Sequence, residues 1–260
     1  MSRRIDFLAS LAATAVAGSA TIAYAAGAYR VDGEYSYGQF GAVRSVTFFG
    51  SGDRPDAQII FASIVHDNAK AEIVAGSQSE IRGLQLWHLA DERNATIGVN
   101  GGFFQGNSFY YDGLLVINGR QISARDSQFS GAVTLDANGA LSLQRIDDVA
   151  NPVSAMQTGP FFIDPGGTMG MRSHTYDRFP RSFIAQGAGV VVTGITSPLS
   201  LYQLAEIMLQ YPQPFQVVRF DAALNLCGAE TSAFFARTGK TMVREGGAIN
   251  SPVVLLFSPR

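Results

Sequence analysis

Short runs of β-branched and aromatic residues, each closed by a glycine- or asparagine-containing turn, dominate the chain from about Val43 onward. That pattern restricts the fold to one built from many short strands. The runs predict strands at Val43–Phe49, Gln58–Val65, Ala95–Val99, Leu114–Ile117, Val133–Leu135, Leu141–Arg145, Ser182–Ala185, Val190–Thr193, Val217–Phe220 and Val253–Phe257. Asn118-Gly119, Asn138-Gly139, Gly187, Gly189 and Gly246-Gly247 supply turns. Asn138-Gly139 is the strongest hairpin signal, since both residues tolerate positive φ.

Two helices interrupt the strands. Leu201, Leu204, Ala205, Met208 and Leu209 line one face of a helix over Ser200–Tyr211. Ser200 and Gln203 form a capping-box pattern, and Pro212 ends the helix. A second helix over Ser79–Asp91 is weakened by Gly83. Segregated helices among antiparallel strands give an α+β fold class, with mixed core and a single domain over residues 27–260. Asn151–Pro180 shows little periodicity and is expected to be a long, partly ordered loop of functional interest.

Composition excludes several functions. With 47% apolar and 15% charged residues, the chain is not a disordered charged tail. A net charge of −2 gives no electrostatic basis for nucleic-acid binding. One cysteine, Cys227, rules out a disulfide framework, and the three spaced histidines His66, His88 and His174 do not make a metal centre. Asp164 and Asp177 could ligate a hard cation, but no spaced oxygen-ligand loop accompanies them, so neither a metal nor any other cofactor is expected.

Met1 to Ala26 reads as an export signal: Arg3-Arg4, an Ala/Val/Leu-rich run, and Ala23-Tyr24-Ala25 as a cleavage pattern. Arg3-Arg4 before Phe7-Leu8 is similar to a twin-arginine signal, with a general secretory signal and an uncleaved anchor as alternatives. The expected location is the periplasm or the outside of a bacterial cell, with no stable membrane span after cleavage.

Four patterns appear in order. They are Asn100-Gly101-Gly102-Phe103-Phe104 after a strand, and Gln157-Thr158-Gly159-Pro160-Phe161-Phe162-Ile163. Then come Arg178-Phe179-Pro180-Arg181-Ser182, and Gly194-Ile195-Thr196 with a helix and Ala223-Leu224-Asn225-Leu226-Cys227-Gly228-Ala229-Glu230-Thr231-Ser232. Together they resemble the phosphodiester glycosidase family over about Ser79 to Phe257. The resemblance implies a hydrolase acting on a sugar linked through phosphate, with a sugar-phosphate or cell-envelope glycan as ligand. One segment departs, at two of its three positions: where the family has Asp-Gly-Gly, this chain has Cys227-Gly228-Ala229. A non-catalytic glycan or cell-wall-polymer binder is therefore the alternative.

The residue chemistry fits that implication. Gly101 and Gly102 allow a tight turn and close approach of backbone to ligand, and the Asn100 amide both donates and accepts. Arg178 and Arg181 offer planar donor forks suited to phosphate, or simple surface pairs with Asp177. Gln157, Gly159, Asn225, Gly228, Thr231 and Ser232 complete the expected substrate-binding set. Glu230 or Asp221 would activate water, and Cys227 is either an inert buried thiol or, with a partner such as His174, a nucleophile. Phe103 and Phe104 are either a sugar-stacking face or core, and His66 and His88 look structural. Gly166-Gly167 is a simple turn or an anion-binding pair of N–H groups.

Overall fold

Eight strands pair side by side into the largest sheet of the computed structural model, which describes residues 28–50, 56–76, 85–105, 110–173, 177–239, 241–247 and 250–260. Their order is Tyr29–Ser36, Gly41–Phe48, Ala57–Val65, Val190–Thr196, Arg181–Gly187, Ala222–Gly228, Phe161–Asp164 and Thr168–Met169. A second sheet runs Thr241–Gly246, Ala233–Thr238, Ile97–Gly101, Val253–Pro259, Ala69–Ala75. A third runs Leu141–Arg145, Gly131–Leu135, Ser154–Thr158, Leu115–Ile117, Arg120–Ser123, and Phe103–Gln105 pairs with Tyr110–Asp112 as a small ribbon. Every pairing between these strands is antiparallel, so the fold is α+β as the sequence predicts.

One apolar core lies where the three sheets meet, with Ile97, Val99, Leu115, Val133, Ile184 and Leu224 buried in it. A second forms under the helix Leu201–Gln210, where Leu204 and Met208 pack on Phe61, Phe162, Phe183 and Phe215. The Ser200 hydroxyl accepts from Gln203 N, and Gln203 reciprocates to Ser200 N, completing the expected capping box. The helix Leu86–Glu92 places Leu86 and Ala90 against Phe235 and Leu256 of the second sheet. Among the described residues no helix is long and apolar enough to cross a membrane.

Four expectations need correction. Asn151–Pro180 is no loop: it contains the strands Ser154–Thr158, Phe161–Asp164 and Thr168–Met169. All five residues of Ser154–Thr158 are buried, and a strand covered on both faces has no polar alternation to read. Val217–Phe220 is not a strand; Gln216 turns at φ 62°, Val217 and Phe220 plug the core, Val218 is 84% exposed, and the strand begins at Ala222. The predicted hairpin forms around Asp136–Ala140 with only Gly139 at positive φ, because Asp136 Oδ1 accepts from Asn138 N and Ala140 N. The upstream helix is shorter than expected, Leu86–Glu92, and the remainder of Ser79–Asp91 up to residue 84 lies outside the described residues. So do Met1–Ala26 and His174.

Candidate functional site

Asn100 is the next-to-last residue of a strand of the second sheet, and Ser182 the second of a strand of the first; the two meet where the sheets approach. Asn100 Oδ1 accepts from Ser182 Oγ at 2.5 Å and from Ala233 N at 2.7 Å. Its amide nitrogen Nδ2 is buried, has no oxygen or nitrogen acceptor among the described residues, and interacts with the Cys227 thiol. Gly101 and Gly102 permit this packing in different ways. A Cβ on Gly101 would sit 2.7 Å from Met156 Cε. Gly102 takes φ +79°, and its Cβ would lie 2.0 Å from the Tyr111 ring.

The neighbouring strand Ala222–Gly228 carries a change of register. Asn225 lies opposite Phe183, and Cys227 lies opposite Ser182, leaving Leu226 as the extra residue of a bulge. Cys227 therefore faces the same side as Ser182, toward Asn100, whereas Asn225 faces with Phe183. The Leu226 carbonyl accepts from Gly102 N at 2.8 Å and from Thr158 Oγ1 at 3.2 Å, locking the bulge to the turn after Asn100.

Cys227 is 3% exposed and hydrogen-bonds with Thr231 Oγ1, whose hydroxyl also reaches the Gly228 carbonyl at 3.1 Å. Burial pushes its thiol pKa up; Thr231, the Asn100 amide and the Arg181 charge pull it back only in part. The group is a neutral thiol near neutral pH. Arg181 pairs in register with Gly228, and its guanidinium lies across that glycine: a Cβ there would meet Nη1 at 2.9 Å. Its cation sits 5.4 Å from the Phe179 ring centroid, and its buried Nε has no hydrogen-bond partner among the described residues. Burial lowers the guanidinium pKa, while Asp177 opposes that shift.

Asn100, Arg181, Cys227, Gly228 and Thr231 are thus brought together. The Nε of Arg181 is a buried donor without an acceptor among the described residues, which suits an oxygen-rich anionic ligand, while the Asn100 amide is turned to the Cys227 thiol. Glu230 is beside this group in sequence, on the short turn Ala229–Thr231, with an exposed side chain.

Other expected residues stand apart. Asp221 precedes the opposite end of the strand from Gly228, roughly 20 Å away at ~3.3 Å per residue, and its carboxylate pairs with Arg219 at 3.3 Å. It cannot serve the same reacting atom. Gln157 is completely used: Oε1 accepts from Leu114 N and Asp126 N, and Nε2 donates to the carbonyls of Asp126 and Phe129. No donor remains for a ligand, so its part is to fasten the Asp126–Phe129 loop. Gly159 offers its carbonyl to Asn225 Nδ2 at 3.2 Å, and Asn225 Oδ1 is buried without a partner among the described residues. Ser232 is buried and donates to the Pro180 carbonyl at 3.0 Å. Arg178 is exposed. The N–H groups of Gly166 and Gly167 both donate to the Asp221 carbonyl, so they face no anion. Phe103 stacks on Phe129 at 4.8 Å. His66 Nε2 lies 3.0 Å from the Leu141 carbonyl, and His88 is exposed on its helix. Asp164 pairs with Arg145, and no group of three acidic, His or Cys residues fit to hold a metal occurs among the described residues.

The sequence reading overlooked Trp87, which shares a cleft with Asn100, Thr231 and Gly247. Nothing local in the sequence joins these positions; only the docking of the Leu86–Glu92 helix on the second sheet does.

No curated protein matches the sequence. The fold is similar to that of a hypothetical protein from Synechocystis, with a TM-score of 0.60 at 12% identity, covering 84% of this chain and 62% of that one. The chain thus spans less than two thirds of that protein. The fold is equally similar to the catalytic domain of zebrafish N-acetylglucosamine-1-phosphodiester alpha-N-acetylglucosaminidase, captured auto-inhibited by its pro-peptide. There the TM-score is 0.60 at 12% identity, over 84% of that chain and 90% of this one. The family model for phosphodiester glycosidases matches residues 93–254, a span that contains Asn100, Arg181, Cys227 and Thr231. The chain belongs to the phosphodiester glycosidase family.

Proposed function

We propose that this protein binds a sugar joined through phosphate at the Asn100–Arg181–Thr231 site and hydrolyses the glycosyl–phosphate bond. The observation that carries the reading is the buried Nε of Arg181, a donor on a cation that has no acceptor among the described residues, beside the Cys227 thiol. Arg181 holds the phosphate oxygens. Glu230 takes a proton from water as the water oxygen bonds to the anomeric carbon. The bond from that carbon to the phosphate oxygen breaks, and its electrons leave on the phosphate. A glycosidic bond ordinarily needs a second carboxyl group to protonate the departing oxygen. Phosphate leaves as a stable anion held by Arg181, so one carboxylate suffices.

The neutral, buried Cys227 favours a second reading, in which the site binds the glycan without turning it over. The resemblance places an aspartate at this position, and a thiol that keeps its proton cannot replace a carboxylate as base or nucleophile. The same N-terminal leader that suggests export puts either activity in the periplasm or outside the cell.

Purified protein incubated with an N-acetylglucosamine phosphodiester decides between them when calorimetric binding is measured in parallel. Turnover that disappears in Arg181→Ala supports hydrolysis. Binding without turnover, with activity appearing in Cys227→Asp, supports the binder. Neither binding nor turnover overturns both.

A further inference from the structure

Phe179-Pro180-Arg181 leads into the strand Arg181–Gly187, and a proline steers the residue before it into extended backbone. Alternate residues of an extended chain face the same side, so Phe179 and Arg181 project together. Each of the three residues is anchored separately. Phe179 N donates to the Leu199 carbonyl at 3.3 Å, and Leu199 N returns a bond to the Phe179 carbonyl at 3.0 Å. The Pro180 carbonyl accepts from Ala229 N and from Ser232 Oγ, both at 3.0 Å. Arg181 N donates to Thr196 Oγ1 at 3.1 Å. Ring and guanidinium are therefore set against each other by a backbone with little freedom.

The head of Arg181 is held in an uncommitted way. Among the described residues no carboxylate lies within ion-pair distance of it, and its buried Nε has no partner. Its Cζ lies over the Phe179 ring, 5.4 Å from the centroid. That ring is 43% exposed and belongs to none of the apolar clusters. For binding an anion, a ring has an advantage over a carboxylate. A carboxylate would neutralise the cation and occupy its N–H groups. An aromatic face attracts the cation through its quadrupole and takes none of them. The donors in the guanidinium plane stay free.

We infer that Phe179 is a positioning residue, which holds the Arg181 guanidinium by its face and keeps the in-plane donors available to an anion. The inference rests on the phosphate role given to Arg181 above. It adds the device that keeps this cation in place without neutralising it.

The test combines a binding measurement with a signal from the arginine itself. Inorganic phosphate is titrated into the full chain by calorimetry. The Nε–H resonance of Arg181 is followed by heteronuclear NMR and identified as the one that Arg181→Met deletes. In wild type the ring current is expected to displace this resonance from the usual arginine position. Phe179→Leu keeps apolar bulk and loses the aromatic face. It is expected to weaken phosphate binding about 3- to 10-fold and to return the resonance to the usual position, at an unchanged urea midpoint. Phe179→Tyr should restore both readouts to near wild type. Equal phosphate affinity of Phe179→Leu and wild type overturns the positioning role and leaves Arg181 as the anion site. So does a wild-type resonance at the usual position, or an equal loss of binding in Phe179→Tyr. A binding loss that comes with a lowered urea midpoint in Phe179→Leu assigns the ring to the scaffold and overturns the role too. Phosphate that binds wild type and Arg181→Met alike, or binds neither, overturns the phosphate role of Arg181 and the inference with it.

Discussion

The Ser182 hydroxyl donates to Asn100 Oδ1 across 2.5 Å, joining the eight-stranded sheet to its five-stranded neighbour. Ala233 N donates to the same oxygen at 2.7 Å and lies 3.1 Å from Ser182 Oγ, so three elements share one buried node. Asn100→Ala removes the acceptor while leaving its donors buried. A loss of about 2 kcal/mol or more is expected, since each unsatisfied buried group costs ~1–3 kcal/mol. Urea denaturation measures it; a loss below about 0.5 kcal/mol would show that the node relaxes or hydrates.

Arg181 should behave oppositely. Its cation is partly buried with no carboxylate within ion-pair distance among the described residues, and its Nε lacks a partner. Replacing an uncompensated, partly buried charge by an apolar side chain of similar length relieves desolvation. Arg181→Met is therefore expected to leave the denaturation midpoint unchanged or raised, while abolishing phosphate-dependent binding. A variant that loses stability together with binding would assign Arg181 to the scaffold.

Cys227 predicts a pH dependence. Burial raises the folded-state thiol pKa above its ordinary value of about 8.5. Below that value both folded and unfolded chains hold the proton, and the stabilising difference is fully present. Above it the unfolded chain releases the proton first, so stability falls as pH rises. Wild type should therefore lose stability between about pH 8 and 9.5 more steeply than Cys227→Ala. The thiol should also react with alkylating reagents far more slowly in the native state than in urea. Parallel pH profiles for the two proteins would contradict a buried, protonated thiol.

Two glycines with similar backbone angles should respond very differently to alanine. Gly102 has φ +79° and a Cβ position 2.0 Å from the Tyr111 ring, whereas Gly119 has φ +78° and no atom within 4 Å. Gly119→Ala is expected to cost about 1 kcal/mol of backbone strain alone. Gly102→Ala adds displacement of the buried Tyr111, whose hydroxyl donates to the Gln157 carbonyl, and should cost about 3 kcal/mol or more. Similar denaturation midpoints would mean that the tyrosine moves freely.

Local chemistry made part of this fold readable. Asn118 and Gly119 both take positive φ and close the two-residue hairpin between Leu115–Ile117 and Arg120–Ser123. Ser200 and Gln203 form the cap their spacing implies. Strands such as Ser154–Thr158, buried on both faces, escaped, and Val217–Phe220 was mistaken for a strand because Val217 and Phe220 plug a core without pairing. Asn100 and Arg181 were singled out by the family resemblance together with their donor chemistry, and the fold brings both beside Cys227. The separation of Asp221 from Gly228 along one strand was legible only in part, because sequence distance alone does not say which end faces the cleft. Gln157 misled because a buried amide and a ligand-binding amide look alike until their partners are counted. Trp87 was missed because only the docking of its helix on the second sheet brings it beside Asn100 and Gly247.

The extra residue at Leu226 lets one strand keep two separate allegiances. Its first residues answer to the hydrophobic interior, where Ala222 and Leu224 are buried, and its last two answer to the chemistry beside Arg181. The tip can therefore exchange aspartate for cysteine without disturbing the stem. Deleting Leu226 would force the whole strand into a single phase, rotating position 227 away from Asn100 and stripping Gly102 of its carbonyl anchor.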